Sequence, residues 1–229
     1  MKRLSEKFPT KQITAFRMGL YFSRELEENA LLAVWEITES ESELIDICSL
    51  PNIEKEELEI IKSEPRRKER LAVRALLNVL FDDKVYLGHH DNGQPFLQNS
   101  IVEVSISHTG RFAAVLTHPE HNVGIDIESL ERDFSVVEKR ALSAKEIEDL
   151  SEKNRNTHLA VYWSAKEAIF KRMSLSNVNF AQQIEIKKFT LKDHGEIEAI
   201  FRFPEKQKES VLDLKYELFD NHVMVWIVG

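Results

Sequence analysis

Two short stretches of this sequence carry side chains that could hold a cation and handle a phosphate. In Val123-Gly124-Ile125-Asp126-Ile127-Glu128 apolar and acidic residues alternate, so a strand here turns Val123, Ile125 and Ile127 one way and Asp126 and Glu128 the other. Two carboxylates one pleat apart, beside a glycine that leaves room, can converge on a hard cation such as magnesium, which takes oxygen ligands and keeps waters and substrate phosphates in its shell. The plainer alternative is a half-buried strand with a solvated acidic face. The second stretch, Trp163-Ser164-Ala165-Lys166-Glu167-Ala168-Ile169-Phe170-Lys171, is helical in pattern, and its steps of four stack Trp163, Glu167 and Lys171 along one face. There a carboxylate could act as base or ligand and an amine could neutralise phosphate; the plainer alternative is an exposed ion pair beside a core tryptophan.

Two further segments could bind anions. Ser105-Ile106-Ser107-His108-Thr109-Gly110 ends a strand at a turn, where His108 could donate to a phosphate and Ser107 could touch a sugar or base edge. Ser107 and His108 are neighbours on a strand and point to opposite faces, which argues against a Ser-His nucleophilic pair. Pro65-Arg66-Arg67-Lys68-Glu69-Arg70, with Arg74 beyond, opens a helix with cations where the helix dipole prefers anions. An anionic ligand would relieve that conflict; a solvated charged face is the other reading.

Helices that position these groups are expected at 41–48, 54–63, 66–81, 143–151 and 157–173. Strands are expected at 84–87 and 96–97 around a Gly-His-His-Asp-Asn-Gly turn, and at 102–107 and 112–117 as a hairpin. Others follow at 123–128, 184–191, 197–203, 212–218 and 222–228. Helices come first and strands afterwards, twice over, which indicates an α+β fold rather than a doubly wound parallel sheet. The halves divide near Asn122 with no linker-like composition, giving an N-terminal half at 18–122 and a C-terminal half at 123–229 that should pack tightly. Residues 1–17 hold five cations against Glu6 alone and read as a flexible basic leader, with Met18 at the start of the patterned sequence.

Composition narrows the function. The 229 residues are 42% apolar and 31% charged, an ordinary globular balance. The formal charge of −8 argues against a dedicated nucleic-acid binder. A lone cysteine, Cys48, leaves no internal disulfide or cysteine-rich zinc site, which fits a reducing cytoplasm. The longest apolar runs are too short to span a bilayer, and the basic start lacks the apolar core of a signal peptide, so no membrane partner is expected.

Taken in order, Gly93-Gln94-Pro95, Ser105-Ile106-Ser107-His108, Gly124-Ile125-Asp126-Ile127-Glu128 and Trp163-Ser164-Ala165-Lys166-Glu167-Ala168 resemble the 4′-phosphopantetheinyl transferases of the surfactin-synthetase-activating type. The resemblance runs from about Arg66 to Lys171. It implies two similar α+β halves related by a pseudo-twofold, acting as a monomer, with coenzyme A in the cleft between them. It implies a magnesium-dependent transfer of phosphopantetheine from coenzyme A to a serine of an acyl or peptidyl carrier protein, with release of 3′,5′-ADP.

Carried over by position, Asp126, Glu128 and Glu167 would surround the magnesium, with Glu146 nearby. Lys171 would contact the coenzyme's phosphates, Lys166 precedes the metal-site glutamate among the cofactor-binding residues, and His108 would reach a phosphate. Ser107 would touch the nucleotide, Gly93-Gln94-Pro95 would pack on adenine, and Arg66 or Arg67 would hold the 3′-phosphate. Glu167 is the usual candidate for general base, yet a direct metal ligand is a poor base, and solvent on the metal could relay the proton instead. The family commonly has Gly-Lys-Pro where Gln94 stands here, so the charge of that lysine is missing. Two other classes compete on the same residues: a magnesium-dependent phosphodiesterase or nucleotidyl transferase, and a non-catalytic coenzyme A-binding protein.

Overall fold

The computed structural model describes residues 19–82, 84–203 and 208–229. The basic leader expected at 1–17 lies outside the described residues. Strands β1 (Leu20–Glu25) and β2 (Leu31–Glu36) open the described chain. Helices α1 (Glu41–Cys48), α2 (Asn52–Ile60) and α3 (Glu64–Leu80) follow. Next come β3 (Tyr86–His89), β4 (Pro95–Gln98), β5 (Glu103–His108), β6 (Phe112–His118) and β7 (Val123–Ser129). A second helical stretch holds α4 (Ser135–Ala141), α5 (Ala144–Glu148), α6 (Arg155–Met173) and the single turn α7 (Phe180–Gln183). Strands β8 (Ile184–Ile186), β9 (His194–Phe203), β10 (Lys208–Phe219) and β11 (His222–Val228) complete it.

Local chemistry explains several boundaries. Ser40 and Ser143 each cap a helix by accepting from the amide three residues on, while Glu43 and Glu146 bond back to the cap amides. Pro65 sits in the first turn of α3, where its missing N–H costs nothing. Gly93 takes φ +85° in the β3–β4 turn, the left-handed region a side chain rarely enters.

Two antiparallel sheets carry the architecture, one in the order β1-β2-β6-β5 and one in the order β7-β11-β10-β9-β8. Alternation sorts their side chains into layers. Leu32 and Val34 of β2, with Phe112, Ala114 and Leu116 of β6, meet Ile125 and Ile127 of β7 and Met224 and Trp226 of β11 in a core between the sheets. The opposite residues, Ala33, Trp35, Ala113 and Val115, pack on α3 through Leu71, Leu76 and Leu77. Val223, Val225 and Ile227 face α6 in the same way, against Leu159, Ala165 and Ile169. Mixed α and β structure with antiparallel sheets fits the expected class, but the first half begins with strands, not helices. In the run Ala30–Trp35 every residue but the part-buried Leu31 is fully buried, so it lacks the polar alternation by which a half-exposed strand is recognised.

On β7 the face opposite the inter-sheet core holds Gly124, Asp126 and Glu128, and it lies under α6. A Cβ on Gly124 would stand 1.9 Å from the Ala168 carbonyl oxygen, so only glycine allows α6 this close to the acidic strand. Gly124→Ala should therefore push helix and strand apart and cost about 3 kcal/mol or more of stability, read as a lower midpoint in urea unfolding.

Candidate functional site

The two sheets meet at their edges through serine hydroxyls. Strand β7 pairs with β11 on one side only, and on its free side Ile125 N–H donates to Ser105 Oγ at 3.0 Å and Ile127 N–H to Ser107 Oγ at 3.2 Å. The Ser107 hydroxyl then donates to Asp126 Oδ1 at 2.9 Å. Because Ser107 turns toward β7, its neighbour His108 turns the other way, toward α3, where its Nδ1 lies 3.1 Å from Glu69 Oε2.

Above this seam a cavity of about 760 Å³ is bounded by both halves of the chain. From the first half come Arg66, Arg70 and Val73 of α3, the turn residues Asn92, Gly93, Gln94 and Pro95, and Ser105, Ile106 and His108 of β5. From the second come Glu167, Phe170 and Lys171 of α6 and the residues 174–177 after it. Asn92 Nδ2 donates across the mouth to Ser174 O at 3.4 Å, tying the turn to the end of α6. Arg66, Arg70 and Lys171 set against Glu167 make this a cationic cleft, with Arg70 also paired to Glu57 and with His89 and His108, whose charge burial disfavours, as further polar groups, and it is fit for a ligand with several phosphates.

Of the three acids expected to hold a metal, Glu167 lines the cavity, whereas Asp126 and Glu128 do not, Asp126 being joined to its wall through Lys171. Asp126 is 5% exposed; its Oδ1 accepts from Ser107 and from Lys171 Nζ at 2.8 Å, while Oδ2 is buried with no hydrogen-bond partner. Lys171 also donates to Ile125 O at 2.9 Å. Glu128 Oε1 accepts from Trp163 Nε1 at 3.0 Å and from Arg132. Glu167 has no hydrogen-bond or ion-pair partner among the described residues. Burial first, then the charge of Asp126, pushes the Glu167 carboxyl up to about 7, and the same causes raise Glu128. Two raised carboxyls beside an aspartate with a buried, unpartnered oxygen form a hard, oxygen-only donor set, and that set fits a divalent cation such as magnesium.

Among the described residues, Glu28, His118 and His121 are the three that place one potential ligand atom each within 4.8 Å of the others, so the acids of the cleft are spread wider than that. The histidine group does not suit a metal. His118 Nδ1 accepts from the amides of Glu120 at 3.0 Å and His121 at 2.8 Å, which puts the ring proton on Nε2 and leaves that nitrogen no lone pair to give.

Seven of the residues singled out in the sequence line the cavity: Arg66, Gly93, Gln94, Pro95, His108, Glu167 and Lys171. Others stand apart from it. Arg67 is spent on Glu41 at 2.7 and 2.8 Å and on the Ile61 carbonyl, so of the two arginines it is Arg66 that faces the cavity. Ser107 is used up in the seam, and Arg74 is buried against Glu54 and Val85 O. Lys166 is fully buried, donating to Glu146 Oε2 at 2.8 Å, Ile184 O at 2.7 Å and Phe180 O at 3.1 Å, while Glu146 Oε1 accepts from Ile186 N. This pair ties α5, α6 and β8 together and does not reach the cavity. The sequence reading gave no cavity role to Asn92, Phe170 or Ser174, and placed Arg70 only within the cationic run of α3. Arg70 follows Arg66 by one helical turn, a spacing that could have revealed it.

Residues 122–225 match the model of the 4′-phosphopantetheinyl transferase superfamily, so the second half of the chain contains a domain of that superfamily. No curated protein matches the chain.

Two outcomes follow from these placements. Lys166→Met should cost about 3–5 kcal/mol by stranding the Glu146 carboxylate, read as a lower midpoint in urea unfolding. Glu167 has a raised carboxyl, so the folded state holds its proton longer than the unfolded state and stability falls as pH rises from about 4.5 through about 7. In EDTA, Glu167→Gln should therefore match the wild type at pH 4.5 and exceed it by about 1–2 kcal/mol at pH 8, a figure reduced for partial exposure.

Proposed function

We propose that this protein transfers the 4′-phosphopantetheine group of coenzyme A to a serine hydroxyl of an acyl or peptidyl carrier protein and releases 3′,5′-ADP. The observation that carries the reading is the junction of a cationic cavity with the acids Glu167, which lines it, and Asp126, which is bonded to its Lys171. The superfamily domain at 122–225 contains both acids and supports a transferase. A coenzyme with a pyrophosphate and a 3′-phosphate meets Arg66 and Arg70 from α3, His108 from β5 and Lys171 from α6. The turn at Gly93-Gln94-Pro95 offers a flat, uncharged wall for a base.

Asp126, Glu128 and Glu167 would hold magnesium, which supplies neutralisation of the pyrophosphate when bound. For these oxygens to turn to a cation, Lys171 must release Asp126 and Arg132 must release Glu128. Lys171, once released, has the cavity beside it and is placed to neutralise the phosphate that leaves as 3′,5′-ADP. Glu167 stands in the cleft as the candidate to receive the proton of the attacking serine, and solvent relays that proton where Glu167 holds the cation, since a carboxylate bound to a metal is a poor base. The carrier docks on a local surface rather than through net charge, since this chain is itself acidic at −8. No helix among the described residues is long and apolar enough to cross a membrane, and the reading calls for neither a membrane nor a nucleic acid. The division at Asn122 and the pseudo-twofold relation of the halves belong to the same proposal.

Intact-mass analysis of an apo carrier protein incubated with coenzyme A and magnesium should show the gain of one phosphopantetheine. Hydrolysis of coenzyme A without any carrier would favour a phosphodiesterase instead. Asp126→Asn should slow transfer by about 100-fold or more with the fold intact by circular dichroism, and a near-normal rate would remove Asp126 from the metal site.

A further inference from the structure

Glu69 is the one acid in the run Arg66-Arg67-Lys68-Glu69-Arg70, and the ligand reading gives it no task. It is a poor solvated residue: it is 9% exposed, and its Oε2 is buried without a full hydrogen bond. Its nearest basic groups are the His108 ring, with Nδ1 at 3.1 Å but poorly aligned, and the Arg66 guanidinium at 4.0 Å. An ionised carboxylate accepts only, so this contact places a proton on His108 Nδ1. The other ring nitrogen, Nε2, has no partner among the described residues, and His108 lines the cavity.

We propose that Glu69 is the positioning residue for His108, holding the imidazole by Nδ1–H so that Nε2 meets a phosphate of the bound donor, with uptake of one proton by the ring. This deepens the proposed function and rests on its reading of the cavity as a polyphosphate site. In the empty cleft the ring favours the neutral form: burial disfavours its charge, and the Arg66 and Lys171 cations oppose it, against Glu69 and a weaker contribution from the residue's own backbone in its favour. The other charged or titratable groups of the cleft are Arg70 of α3, His89 of β3 and Glu167 of α6. An arriving phosphate reverses the balance. It neutralises Arg66 and Lys171 and accepts from Nε2–H, so the imidazolium then lies between two anions, Glu69 on one side and the phosphate on the other. The proton comes from solvent and no bond other than hydrogen bonds is made. The poor alignment at Glu69 fits this assignment, because a neutral ring leaves that carboxylate under-satisfied and an imidazolium satisfies it.

The test is calorimetric titration of the full-length protein in EDTA, with coenzyme A and separately with inorganic pyrophosphate, in two buffers of different ionisation enthalpy. Wild type should take up a proton on binding at pH 7.5. Glu69→Gln should take up markedly less and bind about tenfold more weakly, the loss of one charge-assisted hydrogen bond. In the transfer assay its KM for coenzyme A should rise as pH rises and do so at lower pH than in wild type, with kcat within about threefold. Glu69→Asp should restore part of the proton uptake. His108→Gln, which removes the titrating ring without emptying the site, should abolish the uptake whether or not Glu69 is present. Equal uptake in wild type and Glu69→Gln, or a fall in kcat at unchanged KM, would overturn the assignment while leaving the coenzyme A reading intact. Glu69-dependent uptake with pyrophosphate but no binding of coenzyme A would support the clamp and remove the coenzyme A reading. Failure to bind either probe would overturn both.

Discussion

The arrangement of the cleft depends on the way two sheet edges join without backbone pairing. Strand β7 presents two amides on its free side, and the hydroxyls of Ser105 and Ser107 on β5 accept them. Hydroxyls satisfy the edge where another strand would otherwise be needed, and they do so at a separation that leaves side chains between the sheets. The apolar face of β7 seals the core against β2 and β6. Its acidic face is thereby turned to α6, and the alternation of β5 sends His108 toward α3 on the far side of the seam. One contact thus fixes where the anion-binding groups and the acids stand with respect to each other.

Electrostatic tension runs through the site as a consequence. Asp126, Glu128 and Glu167 are gathered under a helix in partial burial, and the cost shows in the raised carboxyls of Glu128 and Glu167. Lys171 and Arg132 relieve part of it from within the chain. Such internal counter-charges are exchangeable for an external cation and a polyanion, and a site of this kind is built to bind both. The Lys166–Glu146 pair shows the contrasting solution nearby: full burial, every polar atom of the ammonium satisfied, and a role in holding elements together. Adjacent residues on one helix, Lys166 and Glu167, are separated by the helix's rotation into a structural and a site-facing role.

Much of this was legible in the residues themselves. The alternation of Val123 to Glu128 gave the two faces of β7, and the four-residue steps from Trp163 to Lys171 gave the face of α6 that meets it, because these periodicities are local properties of strand and helix. The glycine in the acidic strand marked a close approach, and the Ala168 carbonyl is what approaches. By contrast, β2 gave no comparable signal. A strand covered on both faces is apolar throughout and has no period to read. Helix α4 escaped notice for a related reason, since at seven residues it is too short to display a stripe.

What the sequence could not supply was the accounting of partners. Basic character in α3 was evident from Arg66, Arg67, Arg70 and Arg74, but which of these face a ligand depends on whether Glu41, Glu57 or Glu54 lies within reach, and those acids come from other helices. Ser107 and Lys166 have the right type for ligand binding and are consumed elsewhere, one in the seam between sheets and the other in a buried ion pair. Periodicity along a chain decides which way a side chain points. Only the packing of distant elements decides whether that side chain arrives already bonded or free to act, because hydrogen-bond and charge satisfaction are properties of neighbours in space and not of neighbours in sequence.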